Sequence, residues 1–267
     1  MAITDKSILR KQLTDAGLGR LASAIQAQTK PSLRLTATKP SAQPVSRLGG
    51  RPNLPKEIRW PVWQNEVPLA FIAQLDLATL PSVRGLPLPK TGALFFFYDA
   101  TEQPWGYDPK HRGGAQVIYS PSPLSAHGVR ALHRDVDEEA RFRGLAVTST
   151  PEVSLPSHNH PLFRELQATE AEWNAYMAFH DPFQRAVHRI GGHGNEIQGE
   201  LSLAAERGSK RKGADSTSSD WLLLLQVDSE PRTGTVWGDG GRIFFMMQKD
   251  DLRRRRFDCS WLILQCT

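Results

Sequence analysis

Ser46-Arg47-Leu48-Gly49-Gly50 is echoed later in the chain by His188-Arg189-Ile190-Gly191-Gly192. Phe71-Ile72-Ala73-Gln74-Leu75-Asp76 is echoed by Leu223-Leu224-Leu225-Gln226-Val227-Asp228, and Gly92-Ala93-Leu94-Phe95-Phe96 by Gly241-Arg242-Ile243-Phe244-Phe245. The spacings are 142, 152 and 149 residues, so the order is kept while the connecting loops differ. Three matches in order argue for a duplicated unit. Ala115–Ser120 and Ser260–Cys266 supply a third strand to each copy, and the copies span about 46–120 and about 188–267.

Strand alternation places Leu69, Phe71, Ala73 and Leu75 on one face and Ala70, Ile72, Gln74 and Asp76 on the other. The second copy repeats this, with Trp221, Leu223, Leu225 and Val227 against Leu222, Leu224, Gln226 and Asp228. Both strands are almost wholly apolar until their last positions. That pattern fits a strand buried on both sides whose polar end reaches a rim or a buried polar network.

Outside the copies the pattern turns helical. Ile8, Leu9 and Leu13 recur at helical spacing after Thr4-Asp5, Gly17 interrupts, and Leu18, Leu21, Ala22 and Ile25 predict a second short helix that stops at Lys30-Pro31. Residues 1–32 are therefore expected to form a helical segment ahead of a single domain over 33–267. Residues 121–160, rich in Pro, Ser and His, read as a linker with one strand candidate, Gly144–Thr148. Thr169-Glu170-Ala171-Glu172 is a capping box. It leads into a helix with an aromatic packing stripe, Trp173, Tyr176, Met177 and His180, expected to end before Asp181-Pro182. The fold class expected is mainly β and roll-like with α+β features: two copies of a small antiparallel unit fused into one body, with N-terminal helices and one helix between the copies.

Composition bounds the rest. With 267 residues, 39% hydrophobic and 23% charged, the chain is globular rather than disordered. Gly 21 and Pro 19 favour turns over long helices and exclude a coiled coil. The longest apolar runs, Trp221–Leu225 and Ala93–Tyr98, fall far short of the ~20 residues that span a bilayer. Charge at Asp5 and Lys6 is unlike a secretion signal. Cys259 and Cys266 stand an odd number of residues apart, which on one strand points them to opposite faces, and no CxxC pattern exists. A cytoplasmic protein without membrane association, metal or cofactor is expected.

The net charge of +5 is unevenly spread: residues 1–60 carry eleven Lys/Arg against Asp5, Asp15 and Glu57. A basic N-terminal quarter of this kind can steer an acidic partner. The runs Lys210-Arg211-Lys212 and Arg253–Arg256 lack interleaved aromatics, and read as solvated surface rather than a nucleic-acid site.

Arg47-Leu-Gly-Gly-Arg-Pro-Asn-Leu-Pro55, Trp60-Pro61, Pro68–Asp76 and Gly92–Asp99, with His188–Gly192, Leu225–Asp228, Trp237-Gly-Asp-Gly-Gly241 and Trp261–Cys266, together resemble the YwqG-like family of bacterial proteins from about Leu33 onward. The sequence departs from that pattern at His193-Gly194, where an aromatic and a proline are expected, and in a longer insertion around Arg207–Ser219. The resemblance implies a mainly β, roll-like fold and supplies no reaction. Some relatives are similar to proteins encoded near secreted bacterial toxins, and the resemblance thereby implies a protective or accessory binding role.

Among candidate binding residues, Gln74 and Asp76 with Gln226 and Asp228 are the most structured. They line a cleft between the copies, as an acid/base or ligand site, or each ties down a neighbouring turn, perhaps the Gly-Gly segment; the second is favoured. Trp237 and Asp239 sit in a hairpin signal, either as a stacking platform beside a glycine turn or as a tight turn with a packed Trp. The Gly-Gly pairs lack phosphate-loop context, and no GxSxG or HExxH exists, so no catalytic residue is assigned. His158-Asn159-His160 reads as a wet loop. Trp60, Trp63 and Trp105, among prolines, fit a partner surface and core filling equally. The function expected is a non-enzymatic protein-binding or accessory factor, immunity-like toward a toxin. The alternatives are a hydrolase using Asp76, Asp228 or Asp239, and a small-ligand-binding protein.

Overall fold

The computed structural model describes residues 6–64, 66–184, 187–210 and 220–266. The first half of the chain contributes β1 (Lys30–Ala37), β2 (Arg47–Leu48), a side hairpin of β3 (Val62–Trp63) and β4 (Val67–Pro68), then β5 (Ala70–Asp76), β6 (Ala93–Tyr98) and β7 (Ala115–Ser120). The second contributes β8 (Leu145–Ser154), β9 (His188–Ile190), β10 (Trp221–Asp228), β11 (Arg242–Gln248) and β12 (Trp261–Gln265). Apart from the side hairpin, these form one antiparallel ten-stranded sheet in the order β12-β11-β10-β9-β1-β8-β2-β5-β6-β7. The sheet curls until it is nearly closed into a barrel.

That order reads the same from either end once the halves are matched strand for strand. Each half's first strand crosses over: β1 pairs with β9 of the second half, and β8 with β2 of the first. β1 and β8 pair with each other at the centre, and Thr36 faces Thr148 on the approximate two-fold axis. The segment expected to be a linker therefore holds β8, the opening strand of the second copy. It runs six residues beyond the predicted end at Thr148. Its Pro151 is tolerated in mid-sheet because β2 is short and pairs only with Leu145 and Ala146.

A β-bulge corrects the expected faces of β5 and β10. Phe71 opposes Phe97 while Ala73 opposes Phe96, and Leu223 opposes Met246 while Leu225 opposes Phe245, so one extra residue intervenes in each half. Phe71 and Ala73 thus fall on opposite faces, and Phe71 shares its face with Gln74. Phe96 and Phe245 meet inside the barrel with ring centroids 5.0 Å apart. Phe244, Met246, Trp261 and Ile263 face outward and are covered by Leu201 and Ala205 of a helix over Leu201–Ser209.

The helices are α1 (Lys6–Leu13), α2 (Ala22–Ala27), α3 (Pro161–Glu165), α4 (Glu170–Gln184), the covering helix α5 (Leu201–Ser209), and α6 (Lys249–Arg253). A π-turn over Thr14–Leu18, with Gly17 at φ +81°, redirects the chain between α1 and α2. Leu9, Leu13, Leu18, Leu21 and Ile25 pack on Leu162, Phe163 and Tyr176. The capping box forms as expected, with Thr169 Oγ1 accepting from the Glu172 N–H at 3.2 Å. Arg20 grips the same Glu172 through two nitrogens. α4 continues through Pro182 instead of stopping ahead of it. Among its described side chains Tyr176 and His180 are the buried ones, while Trp173 stays exposed and meets His158 edge-on. Among the described residues no helix is long and apolar enough to cross a membrane.

Candidate functional site

Gln74 and Gln226 are wholly buried and do the same work in each half. Gln74 Oε1 accepts from the Asn53 N–H at 2.8 Å, and its Nε2 donates to the Val45 carbonyl at 2.9 Å. Gln226 Oε1 accepts from the Asn195 N–H at 2.9 Å, and its Nε2 donates to the Val187 carbonyl at 2.8 Å. Each glutamine staples the two ends of a loop that passes through β2 or β9 and its Gly-Gly turn. The turns need glycine: Gly49 and Gly191 lie at φ +58° and +68°.

The aspartates differ. Asp76 is partly exposed and caps the turn that follows, accepting from the Ala78 N–H at 3.2 Å. Asp228 is buried, accepts from the Val187 N–H and from Gln226 Nε2 at 2.8 Å each, and lies 3.6 Å from Arg242 Nε. β5 and β10 run in opposite directions and lie five strands apart, so Asp76 and Asp228 sit at opposite ends of the sheet. Gln226 shares the outward face of Phe244, whereas the halves meet through Phe245 on the inward face. The four residues are therefore two separate stations outside the barrel rather than the lining of one cleft.

Trp237 is fully buried, packed edge-on against Tyr98 and Phe142 at 5.8 and 5.7 Å. The turn after it is held from the first half: Gln103 Oε1 accepts from the Gly238 N–H at 2.9 Å. Asp239 lies exposed at the tip. His160 Nδ1 accepts from the Leu162 N–H and so caps α3. Of the basic runs, Arg211 and Lys212 lie outside the described residues, while Arg253 and Arg256 pair with Asp250 and Asp251. Cys266 is buried, and Cys259 is half-buried 3.9 Å from an Asp258 oxygen.

The charged centre of the fold is not legible in the sequence. Glu152 on β8, 5% exposed, bonds Arg189 Nε through one oxygen and Arg34 Nε through the other, each at 2.8 Å. Arg189 also donates to the His193 carbonyl and to Asn195 Oδ1. The available signal was an arginine at the same place in both echoed motifs, Arg47 and Arg189. Nearby, Glu196 Oε1 accepts from the Leu201 N–H at 3.0 Å, and burial pushes this carboxyl up to about 7. Burial, then the neighbouring Lys30, holds His193 down at about 3.

Of the three tryptophans among prolines, Trp60 is buried, with Nε1 donating to the Leu69 carbonyl at 3.0 Å. Trp63 is half-buried and Trp105 exposed. Trp105 stands 6.5 Å from Tyr107, and the two are 39% and 43% exposed. Their loop is clamped across the gap between the two ends of the sheet. The Leu264 N–H donates to the Trp105 carbonyl at 3.1 Å, Trp261 Nε1 to the Gly106 carbonyl at 2.8 Å, and the Gly106 N–H to His111 Nδ1 at 2.9 Å.

The domain family described as Domain of unknown function (DUF1963) matches residues 46–266. The chain belongs to this family. No curated protein matches the sequence. The family match begins just before β2 and so leaves β1 outside its span, although β1 is a central strand of the DUF1963 sheet seen in this protein.

Proposed function

We propose that this DUF1963 protein is a non-enzymatic binding factor that grips another protein, acting as an accessory or immunity-like partner of a bacterial toxin in the cytoplasm, as the YwqG-like resemblance implies. The observation that carries the reading is the Trp105–Tyr107 pair. Large apolar rings are left in water on a loop held to β12 by two hydrogen bonds and to its own His111 by a third. A pre-ordered aromatic pair loses little conformational freedom on binding, which is how interface anchors work. Gly106 between them has no room for a side chain: a Cβ there would meet the Leu262 carbonyl oxygen at 1.9 Å.

The test is affinity capture of the tagged chain from its own cells. One stoichiometric partner is expected with the native chain and none with a Trp105→Ser/Tyr107→Ser variant of unchanged melting temperature. Capture of no stoichiometric partner, or of the same partner by both forms, overturns the proposal.

A further inference from the structure

The two-fold axis makes each half a template for the other, and one charged group in the first half lacks what its twin has. Arg47 and Arg189 are equivalent residues. Arg189 Nε is held by Glu152, and its Nη1 reaches the His193 carbonyl. Arg47 Nη1 reaches the matching carbonyl, that of Arg51, at 3.4 Å, and Nη2 reaches Gln43. Its Nε is buried with no hydrogen-bond partner. This is the atom that the carboxylate satisfies in the other half.

The missing group can be located. Leu33 pairs with Ile190 as Leu145 pairs with Leu48, so Leu33 and Leu145 are equivalent. Seven residues further along the chain stand Pro40, exposed in the loop that follows β1, and Glu152, still within β8. The first half therefore carries no carboxylate at the residue that matches Glu152 in the duplicated order. Asn53, the twin of Asn195, gives no help either, since its Oδ1 accepts from Gln74 Nε2 at 3.0 Å. Arg47 is only 7% exposed and lies opposite Ala146 on β8 and Gln74 on β5, neither of them charged. The nearest ionised neighbour is another cation, the exposed Arg51, whose side chain has no partner among the described residues. Burial first, then Arg51, weakens Arg47's hold on its proton. A buried guanidinium without a counter-charge is uncommon because its desolvation goes uncompensated.

We infer that Arg47 and Arg51 form a carboxylate-binding site, the place where an acidic side chain of a partner protein takes the position that Glu152 fills in the second half. The source of the carboxylate rests on the protein-binding reading above; the site itself does not. Residues 38–46, which run over Arg47, form no regular structure and are mostly exposed, so this loop is what yields on binding. The basic N-terminal quarter supplies the long-range attraction.

The test titrates the full chain with a hexaglutamate peptide and, separately, with glutarate, following heat by calorimetry. The variants are Arg51→Gln, Pro40→Glu, which puts a competing carboxylate in the loop over Arg47, and Lys56→Gln, an exposed control with the same change in charge. The expected result is peptide binding that falls at least tenfold in Arg51→Gln and in Pro40→Glu and stays within twofold in Lys56→Gln. Pro40→Glu is also expected to raise the melting temperature. Glutarate binding without peptide binding supports the carboxylate site and overturns the assignment to a protein partner. Equal loss in all three variants reduces the effect to general charge and overturns the site, as does no binding of either probe. In both of those outcomes the Trp105–Tyr107 proposal stands untouched.

Discussion

The two halves share a backbone plan and differ in how they treat the charge buried at its centre. In the second half Glu152 bridges Arg34 and Arg189, and Glu196 adds a half-buried carboxyl. In the first half the equivalent positions are Pro40 and Leu54, and Leu54 is simply core. The glutamine staples are common to both. Symmetry is thus kept where backbone groups must be satisfied and abandoned where charge is placed. Backbone requirements come with the fold itself, whereas a buried charge is optional and has to be matched residue by residue.

The sharpest way to break this comparison is Glu152→Ala. It strands the buried Arg189 guanidinium and takes one partner from the half-buried Arg34, and is expected to destabilise the protein by about 3–5 kcal/mol, while Pro40→Ala costs under about 0.5 kcal/mol. Urea unfolding of the two variants measures the difference, and equal values would remove the asymmetry.

The glycine turns come next. A Cβ on Gly49 would lie 2.5 Å from the Arg143 carbonyl oxygen, but on Gly191 it would first meet the movable end of Leu86 at 2.9 Å. Both substitutions to Ala carry the left-handed backbone strain, so Gly49→Ala should cost about 3 kcal/mol and Gly191→Ala nearer 1 kcal/mol. Thermal unfolding ranks them, and the reverse order would mean that the Gly49 turn can shift.

The glutamine staples sharpen the comparison from the symmetric side. Gln74→Ala and Gln226→Ala each leave a buried N–H unsatisfied and should each lose about 2 kcal/mol, the second somewhat more because the acceptor that also loses a donor is the Asp228 carboxylate, where in the first half it is the neutral Asn53 amide. Proteolysis within the loops they close, 46–53 and 188–195, should accelerate in the matching variant alone.

The smallest effect is on pH dependence. Glu196 holds its proton up to about 7 in the fold, above the ordinary 4.5. The folded state therefore binds more protons between those values, and stability from this group falls as pH rises from 4.5 through 7. His193, held at about 3 instead of 6.5, acts oppositely: its contribution is present above 6.5 and is lost as pH falls toward 3. Glu196→Gln removes only the first effect. Its stability relative to the native chain should improve by about 1–2 kcal/mol between pH 4.5 and pH 7.5, measured by denaturant unfolding at both. A flat difference would show that Glu196 ionises freely.

How far the sequence reaches depends on what each residue reports. Phe95–Phe97 and Trp221–Leu225 announce buried strands by composition alone. Gly17 and the capping box at Thr169 act through local geometry, and both lie where expected. β1 and β8, by contrast, read as Lys-Pro-Ser-Leu-Arg-Leu-Thr-Ala and Leu-Ala-Val-Thr-Ser-Thr-Pro-Glu-Val-Ser, with too much polarity and a proline each. Their polar groups are compatible with the sheet's centre only because Arg34, Glu152 and Arg189 meet there from three strands. The bulges at Ile72 and Leu224 were equally hidden, since alternation counts residues along one strand and a bulge is defined by its partner.

What the amino-acid order determined unaided was local and repetitive: two copies, their apolar strands, their glycine turns and the helices around them. Tertiary structure alone decided that the copies exchange their first strands, that the Gln–Asp pairs turn outward at opposite ends of the sheet, and that one arginine keeps a carboxylate its twin lacks. The physical reason is range. Propensity and periodicity act over a few neighbouring residues. The partner of a buried charge or of a strand edge lies a hundred or more positions away, as Arg34 does from Glu152, and is chosen only when the chain closes.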